Sequence, residues 1–295
     1  MAMLNLPRIL ALIDLIAQQR VLFIGETIID EYRFVSAMGK PSKENILAVR
    51  MLKSEVYQGG VIAAKKHASY FCEIAQLTVG NEIRKVRYVE ENYTRKLFEV
   101  QQIEDAVSIE PIPVDLLARF EKVVVTDFGH CMFFPPVIKQ LCDSDKWLAV
   151  ATQTNSHNAG YNLITKWPRA DYICIDEPEA RLAASDRYST IEMVMRHLMR
   201  NRCGKMIVSH GRHGAYGLDE TGFHHMPAFT NTIIDTMGAG DAFFAITALM
   251  AKEAHIEDLL AIGNAAGALK TQIIGHRSAV TKDALIEYLK AHGTC

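Results

Sequence analysis

The sequence lacks the patterns by which several classes of protein are recognised. Its six cysteines include no Cys-x-x-Cys pair, so neither a zinc site nor a disulfide framework is indicated. Residues 1–20 are partly apolar, but Asp14 interrupts them, no run is long enough to span a bilayer, and no small-residue cleavage site follows. With 32 basic and 34 acidic residues, the net charge of −2 gives no electrostatic reason for a nucleic-acid partner. We therefore expect a cytoplasmic globular protein with neither a membrane nor a nucleic-acid partner.

Short apolar runs alternate with helix-like stretches through most of the chain. The runs typical of buried parallel strands are residues 21–24, 123–125, 147–150, 172–175 and 206–208, and helix-like stretches include 136–142, 177–184 and 191–200. This alternation predicts an α/β fold with a mostly parallel central sheet and helices on both faces. Ligands bind beyond the carboxyl ends of strands in such sheets, where this sequence places Asp30, Asp127, Asp176 and Ser209.

Two segments, residues 32–58 and 84–104, interrupt the alternation with β-prone residues. Neither leads soon enough into a helix to be a β-α unit, so together they predict a small antiparallel sheet that stands off the main body. Such a sheet is too small to be stable alone, and a second subunit would cover its apolar face. Because no repeat, low-complexity tract or linker divides the chain, we expect one domain over residues 1–295 with these strands inserted.

The most informative segment is residues 235–241, Asp-Thr-Met-Gly-Ala-Gly-Asp, which runs into an apolar, helix-forming stretch. Backbone amides at a helix N-terminus have no intrahelical acceptor and lie at the positive end of the helix dipole. The small residues Gly238, Ala239 and Gly240 would let an anion approach those amides. Asp241 would then lie where it can accept a proton from a group that attacks the anion, as phosphoryl transfer to a hydroxyl requires. The simpler alternative is a glycine-rich turn with an acidic helix cap.

Residues 235–241 resemble the C-terminal signature of the PfkB (ribokinase-like) carbohydrate kinases, and residues 127–131 are similar to a loop of their heptose 7-phosphate kinase branch. The resemblance implies a ribokinase-like fold with a small β lid that covers the sugar and often makes a homodimer contact. It implies ATP-dependent phosphorylation of a hydroxyl on a sugar or sugar phosphate. Asp241 would be the general base, the turn at 238–240 the anion hole, and ATP and Mg²⁺ the cofactors. We expect the Asp241 carboxyl to keep a pKa low enough to remain ionised, because it lies at a helix start.

On the sugar side, the resemblance implies substrate contacts by Asp30, Gly59 and Gly60. Asp30 matches the second acid of the family's Gly-Asp-x-x-x-Asp pattern, in which Glu26 replaces the first acid. A carboxylate suits a polyol because it accepts hydrogen bonds from two hydroxyls. Gly59 and Gly60 match a glycine pair of the family, but Ala63 replaces the Asn that follows it. One polar contact to the sugar is therefore missing.

Lysines that would meet a substrate phosphate in the heptose kinases are missing from two loops of this sequence. His130 stands in the first loop, and residues 151–155 replace an Asp-Pro-Lys in the second. Arg95 or Lys96, in the second β-prone segment, would then be the substitute, although solvated strand charges are the simpler interpretation. The sequence predicts a neutral sugar acceptor, or one phosphate held by Arg95 and Lys96.

On the nucleotide side, Asp176 and Glu179 match an Asn-x-x-Glu pattern whose Glu lies near Mg²⁺-bound water in relatives. The alternative is that these acids complement the dipole of the helix they open. Relatives often respond to K⁺ bound near Asp235, where Met237 replaces a frequent threonine.

The resemblance also implies an ATP-binding loop that follows a strand. Ser209, Gly211 and Gly214 correspond to the family's Thr-x-Gly-x-x-Gly, and Asn264 lies in a small-residue helix that borders the adenine in relatives. Small residues on a helix more often indicate close packing than a cofactor pocket.

Two alternative functions stay open. The chain could be a catalytically inactive sugar- or nucleotide-binding protein that kept the fold, as the replacements at Ala63 and His130 suggest. It could also be a nucleoside or vitamin kinase of the same superfamily. Tight ATP binding without turnover would favour the first alternative, and turnover on a nucleoside would favour the second.

Overall fold

The computed structural model describes residues 4–78, 80–93, 95–104, 111–130, 133–158, 160–230 and 232–292. Thr94, in the second β-prone segment, and Cys131, in the loop that resembles the heptose kinases, lie outside the described residues. Over the described ranges, no helix is both long enough and apolar enough to cross a bilayer.

Two sheets hold the strands of the described chain. The strands are β1 (Arg20–Gly25), β2 (Thr27–Gly39), β3 (Ala48–Gly59), β4 (Glu73–Thr78), β5 (Ile83–Glu90), β6 (Arg95–Gln102), β7 (Lys122–Asp127), β8 (Trp147–Thr152), β9 (Tyr172–Asp176), β10 (Lys205–Ser209), β11 (Ala215–Asp219) and β12 (Gly222–Met226). The central sheet has the order β12-β11-β10-β9-β8-β7-β1-β4. Its strands from β10 to β4 are parallel, and β11 and β12 add an antiparallel hairpin at one edge.

Helices cover both faces of the central sheet. They are α1 (Leu6–Ile16), α2 (Gly60–Ala68), α3 (Val114–Ala118), α4 (Pro135–Asp143), α5 (Glu177–Ala184), α6 (Ile191–Met199), α7 (Ala239–Met250), α8 (Ile256–Lys270) and α9 (Lys282–His292). In β1, Val21 and Phe23 pack into one core with α1, α2, α7, α8 and α9. Leu22 and Ile24 pack into the other core with α3, α4, α5 and α6. This alternation of side chains buries β1 on both faces, as a central parallel strand requires.

The apolar runs found in the sequence do form strands of the central sheet, and the predicted mostly parallel α/β fold is confirmed. The strands β11, β12 and β4 correspond to none of these runs. β4 lies at the opposite edge of the sheet from the β11–β12 hairpin. Its sequence is Glu-Ile-Ala-Gln-Leu-Thr, and it lies half-buried at the sheet edge. An edge strand needs less apolar surface than a central one, so no continuous apolar run marks it.

The two β-prone segments form a second sheet of four strands with the order β3-β2-β5-β6, which we call the lid. The prediction of a purely antiparallel sheet was wrong, because β2 and β5 are parallel neighbours. The reason is topological: β2 continues from β1 and β5 follows β4, and β1 and β4 are themselves parallel neighbours. That the whole chain is one domain with an inserted lid stays a prediction.

Candidate active site

The turn before α7 carries backbone amides that are free to bind an anion. Gly238, with φ at 71°, precedes the helix. The amide of Ala239 donates to the Thr236 carbonyl at 3.2 Å. Contrary to the prediction, this amide is therefore not free. In the described chain, the amides of Gly240 and Asp241 have no acceptor. A Cβ atom on Gly240 would meet nothing within 4 Å, so the space beside this residue is open. The amides left available to an anion are therefore those of Gly240 and Asp241.

Asp241 lies where two pockets meet. The first pocket is lined by Asp176, Glu179 and Gly240 among others. The second pocket is a cavity of about 230 Å³ that opens to solvent. Asp30 and Gly60 line this second pocket, and Asp241 lines both. A group in one pocket can thus be transferred to a group in the other beside the Asp241 carboxylate.

The pKa of Asp241 is raised above its ordinary value, although the residue lies at a helix start. Burial is the largest cause, and the negative charge of Asp30 adds to it. The positive charges of His276, Lys270 and Lys85 act in the opposite direction but do not cancel the loss of hydration. A carboxylate with a raised pKa is a stronger base than one in water.

The structure brings Asp30, Gly59 and Gly60 together beside the second pocket, which we call the acceptor pocket. The sequence placed Asp30 beyond the end of a strand, but it lies within β2, next to Gly59 of β3. A Cβ atom on Gly59 would collide with Asp30 Oδ2, so a side chain at this position would displace the carboxylate. Burial alone would raise the pKa of Asp30, but a hydrogen bond from His276 and the charge of Arg87 lower it to about 2. Asp30 is therefore an ionised, fixed acceptor at neutral pH.

Sequence reasoning missed three basic side chains around Asp30: Arg87, His276 and Lys85. Arg87 is buried between Asp30, with which it forms an ion pair, and Glu99 Oε2 at 2.7 Å. The Nε2 atom of His276 lies 3.3 Å from Asp30 Oδ2. Lys85 lines the acceptor pocket and is 6% exposed. Burial lowers the pKa of Lys85, although the charges of Asp30 and Glu99 raise it.

For Lys85 and Arg87, the sequence did contain a signal that could have been used, which is their spacing in β5. Lys85 and Arg87 are two residues apart and therefore share a face of the strand. Lys85 pairs in register with Asp30 on the neighbouring β2. The alternation was visible in the sequence, but the pairing with Asp30 was not.

Arg95 does not reach the acceptor pocket, contrary to the expectation from the sequence. It begins β6 and is exposed. Lys96 is also turned to another partner, since its ammonium lies 3.2 Å from Asp235 Oδ1. Arg95 pairs with Glu90 and Lys96 pairs with Val89, both near the C-terminal end of β5. The pocket residue Lys85 lies near the other end of that strand.

Asp176 and Glu179 form a capping box at the start of α5, in keeping with the simpler interpretation of these acids. Glu179 Oε1 also accepts from the Thr154 amide at 2.7 Å. Burial, with the charges of Asp176 and Asp241, raises the pKa of Glu179 to about 8. These desolvated carboxylates border the first pocket, and a divalent cation there would relieve their repulsion.

The residues of the first pocket fit Mg²⁺ only in company with a ligand. Over the described ranges, no cluster of three His, Cys, Asp or Glu side chains is arranged to hold a metal ion. Mg²⁺ is usually held by one or two carboxylates, water and substrate phosphates, which suits Asp176 and Glu179.

The predicted nucleotide loop lies beside this pair of acids. Ser209 at the end of β10 is in register with Asp176 of β9. Gly214 is required by packing, because a Cβ atom there would collide with the Met226 carbonyl. Asn264 donates to the same carbonyl at 3.3 Å, so it ties α8 to the end of β12. Among the described residues, the lining of the two pockets includes Asp176 but none of Ser209, Gly211, Gly214 and Asn264.

Two departures from the family pattern contact each other. The backbone amide of His130 donates to Glu26 Oε1 at 3.0 Å, and His130 Nδ1 lies 3.3 Å from Glu26 Oε2. Both side chains are fully buried. The pair ties the loop after β7 to the connection between β1 and β2.

The residues near Asp235 do not favour a K⁺ site. The Lys270 ammonium donates to the carbonyls of Met237 and Gly275, each at 2.6 Å, and lies 3.4 Å from that of Ile273. A cationic side chain therefore already lies among the carbonyls beside Asp235.

Comparison with known proteins points to one family. Residues 149–283, a little under half of the chain, match the family model described as pfkB family carbohydrate kinase. An ATP-dependent ribose-1-phosphate kinase from Halopiger xanaduensis is 41% identical over 83 residues, which are 28% of this chain and 28% of that protein. A probable chloroplastic fructokinase-6 from Arabidopsis thaliana is 30% identical over 146 residues, 46% of this chain and 38% of that protein. The matches thus span well under half the length of either relative.

The fold is ribokinase-like. A ribokinase from Thermotoga maritima superimposes with a TM-score of 0.70 at 16% identity, over 92% of this chain and 99% of that one. Because the superposition covers 92% of this chain, it includes most of residues 1–148, which the family model does not match.

Proposed function

We propose that this chain, whose sequence match and fold support a relation to the pfkB carbohydrate kinases, transfers the terminal phosphoryl group of ATP to a hydroxyl of a sugar or sugar derivative. The observation that carries the proposal is the position of Asp241, which borders both pockets beside two free backbone amides. An inactive binding protein would have no chemical need for a carboxylate there.

Each part of the site has a role in this reaction. Bound ATP would supply the phosphoryl group, and Mg²⁺, held with the help of Asp176 and Glu179, would offset the phosphate charge. The Asp241 carboxylate accepts the proton of the attacking hydroxyl. The amides of Gly240 and Asp241 stabilise the charge on the transferred group. The loop from Ser209 and the helix of Asn264 would extend the nucleotide site, which suits a cytoplasmic enzyme supplied with ATP.

We propose an acceptor that carries an anionic group, such as a sugar phosphate. Lys85 supports this, because it is a buried cation in the acceptor pocket whose ammonium has no hydrogen-bonding partner in the described chain. A buried ammonium without a partner is unfavourable, and an anionic ligand would compensate it. Arg87 is less available, since Asp30 and Glu99 already bind it. The heptose 7-phosphate kinase branch is one case of this substrate class.

Lys85→Met should raise KM for an anionic acceptor at least about tenfold, with a smaller effect on KM for ATP, because one charge-assisted contact is lost. Steady-state kinetics on the best acceptor measure this. Lys53→Met, which removes a half-exposed lysine of β3 paired with Glu55 and Glu91, is the control and should leave KM unchanged. Equal effects of the two substitutions would show that Lys85 does not bind the acceptor.

The proposed function is tested by an ADP-release screen over free sugars, sugar phosphates including heptose 7-phosphate, sugar acids and nucleosides. Turnover on a sugar or sugar phosphate supports it. Turnover confined to nucleosides or vitamins would assign the chain to another class of kinase. Tight ATP binding without turnover on any acceptor would favour the inactive binding protein.

We also propose a homodimer through the lid. Val56, Phe98 and Val100 are all more than 40% exposed. The register places Val56 and Val100 one row, and Phe98 three rows, from the row that holds Asp30 and Lys85. Because successive residues of a strand point to opposite faces, these apolar side chains lie on the face of the lid that is turned away from the acceptor pocket.

Light scattering at micromolar concentration should report a dimer, and the double substitution Val56→Asp and Val100→Asp should convert it to a monomer, because two charges would be buried in each half of the contact. Val114→Asp, at an exposed valine of α3 outside the lid, is the matched control and should leave the dimer intact. A monomeric wild-type protein would contradict the proposal.

A further inference from the structure

Lys270 is a buried cation whose surroundings are backbone carbonyls. It is the last residue of α8 and is 0% exposed. Its ammonium donates to Met237 O and Gly275 O, each at 2.6 Å, and lies 3.4 Å from Ile273 O. An ammonium has three donors and no acceptor, so three carbonyls match its full capacity. No carboxylate is in direct contact with it in the described chain, although Asp235 and Asp241 are near enough to act through their charges.

The carbonyls belong to the two segments that form the site. Met237 is part of the turn that leads to the free amides, and Gly275 precedes His276 of the acceptor pocket. Asp235 joins the same segments, because its Oδ2 accepts from the Gly275 amide at 2.9 Å. The Lys270 ammonium thus holds the peptide group between Met237 and Gly238 close to the segment that carries His276.

Such a ring of carbonyls is also what binds a dehydrated monovalent cation. Carbonyl oxygens coordinate K⁺ by taking the place of its water molecules. The ammonium of Lys270 supplies the same single positive charge among these carbonyls, and it is part of the chain itself. The two cations exclude each other from this site.

On the basis of the proposed function, we infer that Lys270 is a built-in monovalent cation that positions the anion-binding turn, so that the reaction needs no added K⁺. Lys270 is a positioning residue, because it acts through the Met237 carbonyl and does not itself face either pocket in the described structure. Without it, the carbonyls of Met237 and Gly275 would be buried without a donor, and the turn would reorient to hydrate them.

Activity with different cations tests the inference. Wild-type kcat should agree within about twofold in K⁺, Na⁺ and tetramethylammonium salts at equal ionic strength, since no cation is taken up. Lys270→Ala in Na⁺ should lower kcat about tenfold with little change in KM for ATP, as expected for a misplaced turn. Saturable restoration of that variant by K⁺ or methylammonium is the expected result, because the carbonyls and the space remain. Lys270→Met fills the space with an uncharged side chain of similar length, so neither cation should restore the kcat of this variant.

Thermal unfolding gives a readout that does not depend on turnover. K⁺ in place of Na⁺ should raise the Tm of Lys270→Ala by about 2 °C or more and leave the wild type unchanged. Lys205→Ala is the matched control. The Lys205 ammonium also donates to backbone carbonyls, those of Ala251 and Ala254, but at the start of β10, away from the site. That variant should lose stability without gaining a response to K⁺.

Three results would overturn the inference. They are saturable activation of the wild type by K⁺, a fully active Lys270→Ala variant in Na⁺, or a rise in the Tm of Lys205→Ala with K⁺ as large as that of Lys270→Ala. If the wild type phosphorylates no acceptor, the proposed function fails, while the Tm comparison still tests the cation site. If Lys270→Ala folds in neither salt, the Lys270→Met variant and the wild-type cation series decide the question.

Discussion

Asp241→Asn lowers kcat at least about 10²-fold while the affinity for ATP changes little, because a positioned base contributes about 10²–10⁴-fold in rate. Asparagine keeps the size and polarity of the side chain but cannot accept the hydroxyl proton. The wild-type kcat should fall at acidic pH, since protonation of the base removes it. Burial raises the pKa of Asp241, so this fall begins at a higher pH than for an exposed carboxyl, and the variant should lack it. Steady-state kinetics over pH measure both effects.

Asp258→Asn is the control for Asp241→Asn. Asp258 is the third residue of α8, as Asp241 is of α7, and it is also buried, where it pairs with Arg8. Its substitution should lower stability without lowering kcat. Near-full turnover of Asp241→Asn would refute the assignment of the base. Loss of ATP binding and of the fold together would instead support a structural helix cap.

Arg87→Met should lower the free energy of unfolding by about 3 kcal/mol, because removal of one member of a buried ion pair leaves the other charge without compensation. The side chains of Arg87 and Asp30 are only 8% and 4% exposed. Asp30→Asn in the same chain should recover part of the loss, since the remaining group is neutral. Urea unfolding of the two single variants and the double variant measures the coupling between them.

Arg84→Met is the comparison for Arg87→Met. Arg84 is 38% exposed and pairs with Glu31 at 3.0 Å on the same strand pair of the lid. Because Arg84 is partly exposed and Glu31 keeps Arg33 as a second partner, this substitution should cost only about 0–1 kcal/mol. If both substitutions cost the same, the Arg87–Asp30 pair does not have the energetics of a buried pair.

The sequence was sufficient for the parts of the fold that local pattern determines. Strand β1 is a run of apolar residues that pack on both faces, and its burial follows from composition alone. The parallel pairing of β2 and β5 does not, because it depends on where β1 and β4 lie relative to each other. Pairing between segments far apart in sequence is set by the whole sheet.

The same division applies to the site. Asp241 and Asp30 were found because each belongs to a motif with glycines at fixed spacing. Lys270 and His276 were not, because each is a single polar residue whose partner lies elsewhere in the chain. The expectation for Arg95 has the same origin, since its charge was visible in the sequence, whereas its exposed place at the start of β6, outside the lining of the second pocket, was not.

The attachment of the lid has a mechanical consequence. Glu26 alone separates β1 from β2, and the other lid strands begin or end beside the start of β2, so the backbone fixes the lid to the central sheet at this end. Farther along the lid, only side-chain contacts, such as the ion pairs of Lys96 with Asp235 and Glu55 with Arg277, join it to the rest of the described chain. At about 3.3 Å per residue, Asp30 lies about 13 Å along β2 from Glu26, and Gly39 about 43 Å. Rotation about the fixed end therefore displaces Asp30 by about a third of the distance that the tip moves. Contacts made at the tip can fluctuate while the carboxylate that faces the acceptor stays nearly in register.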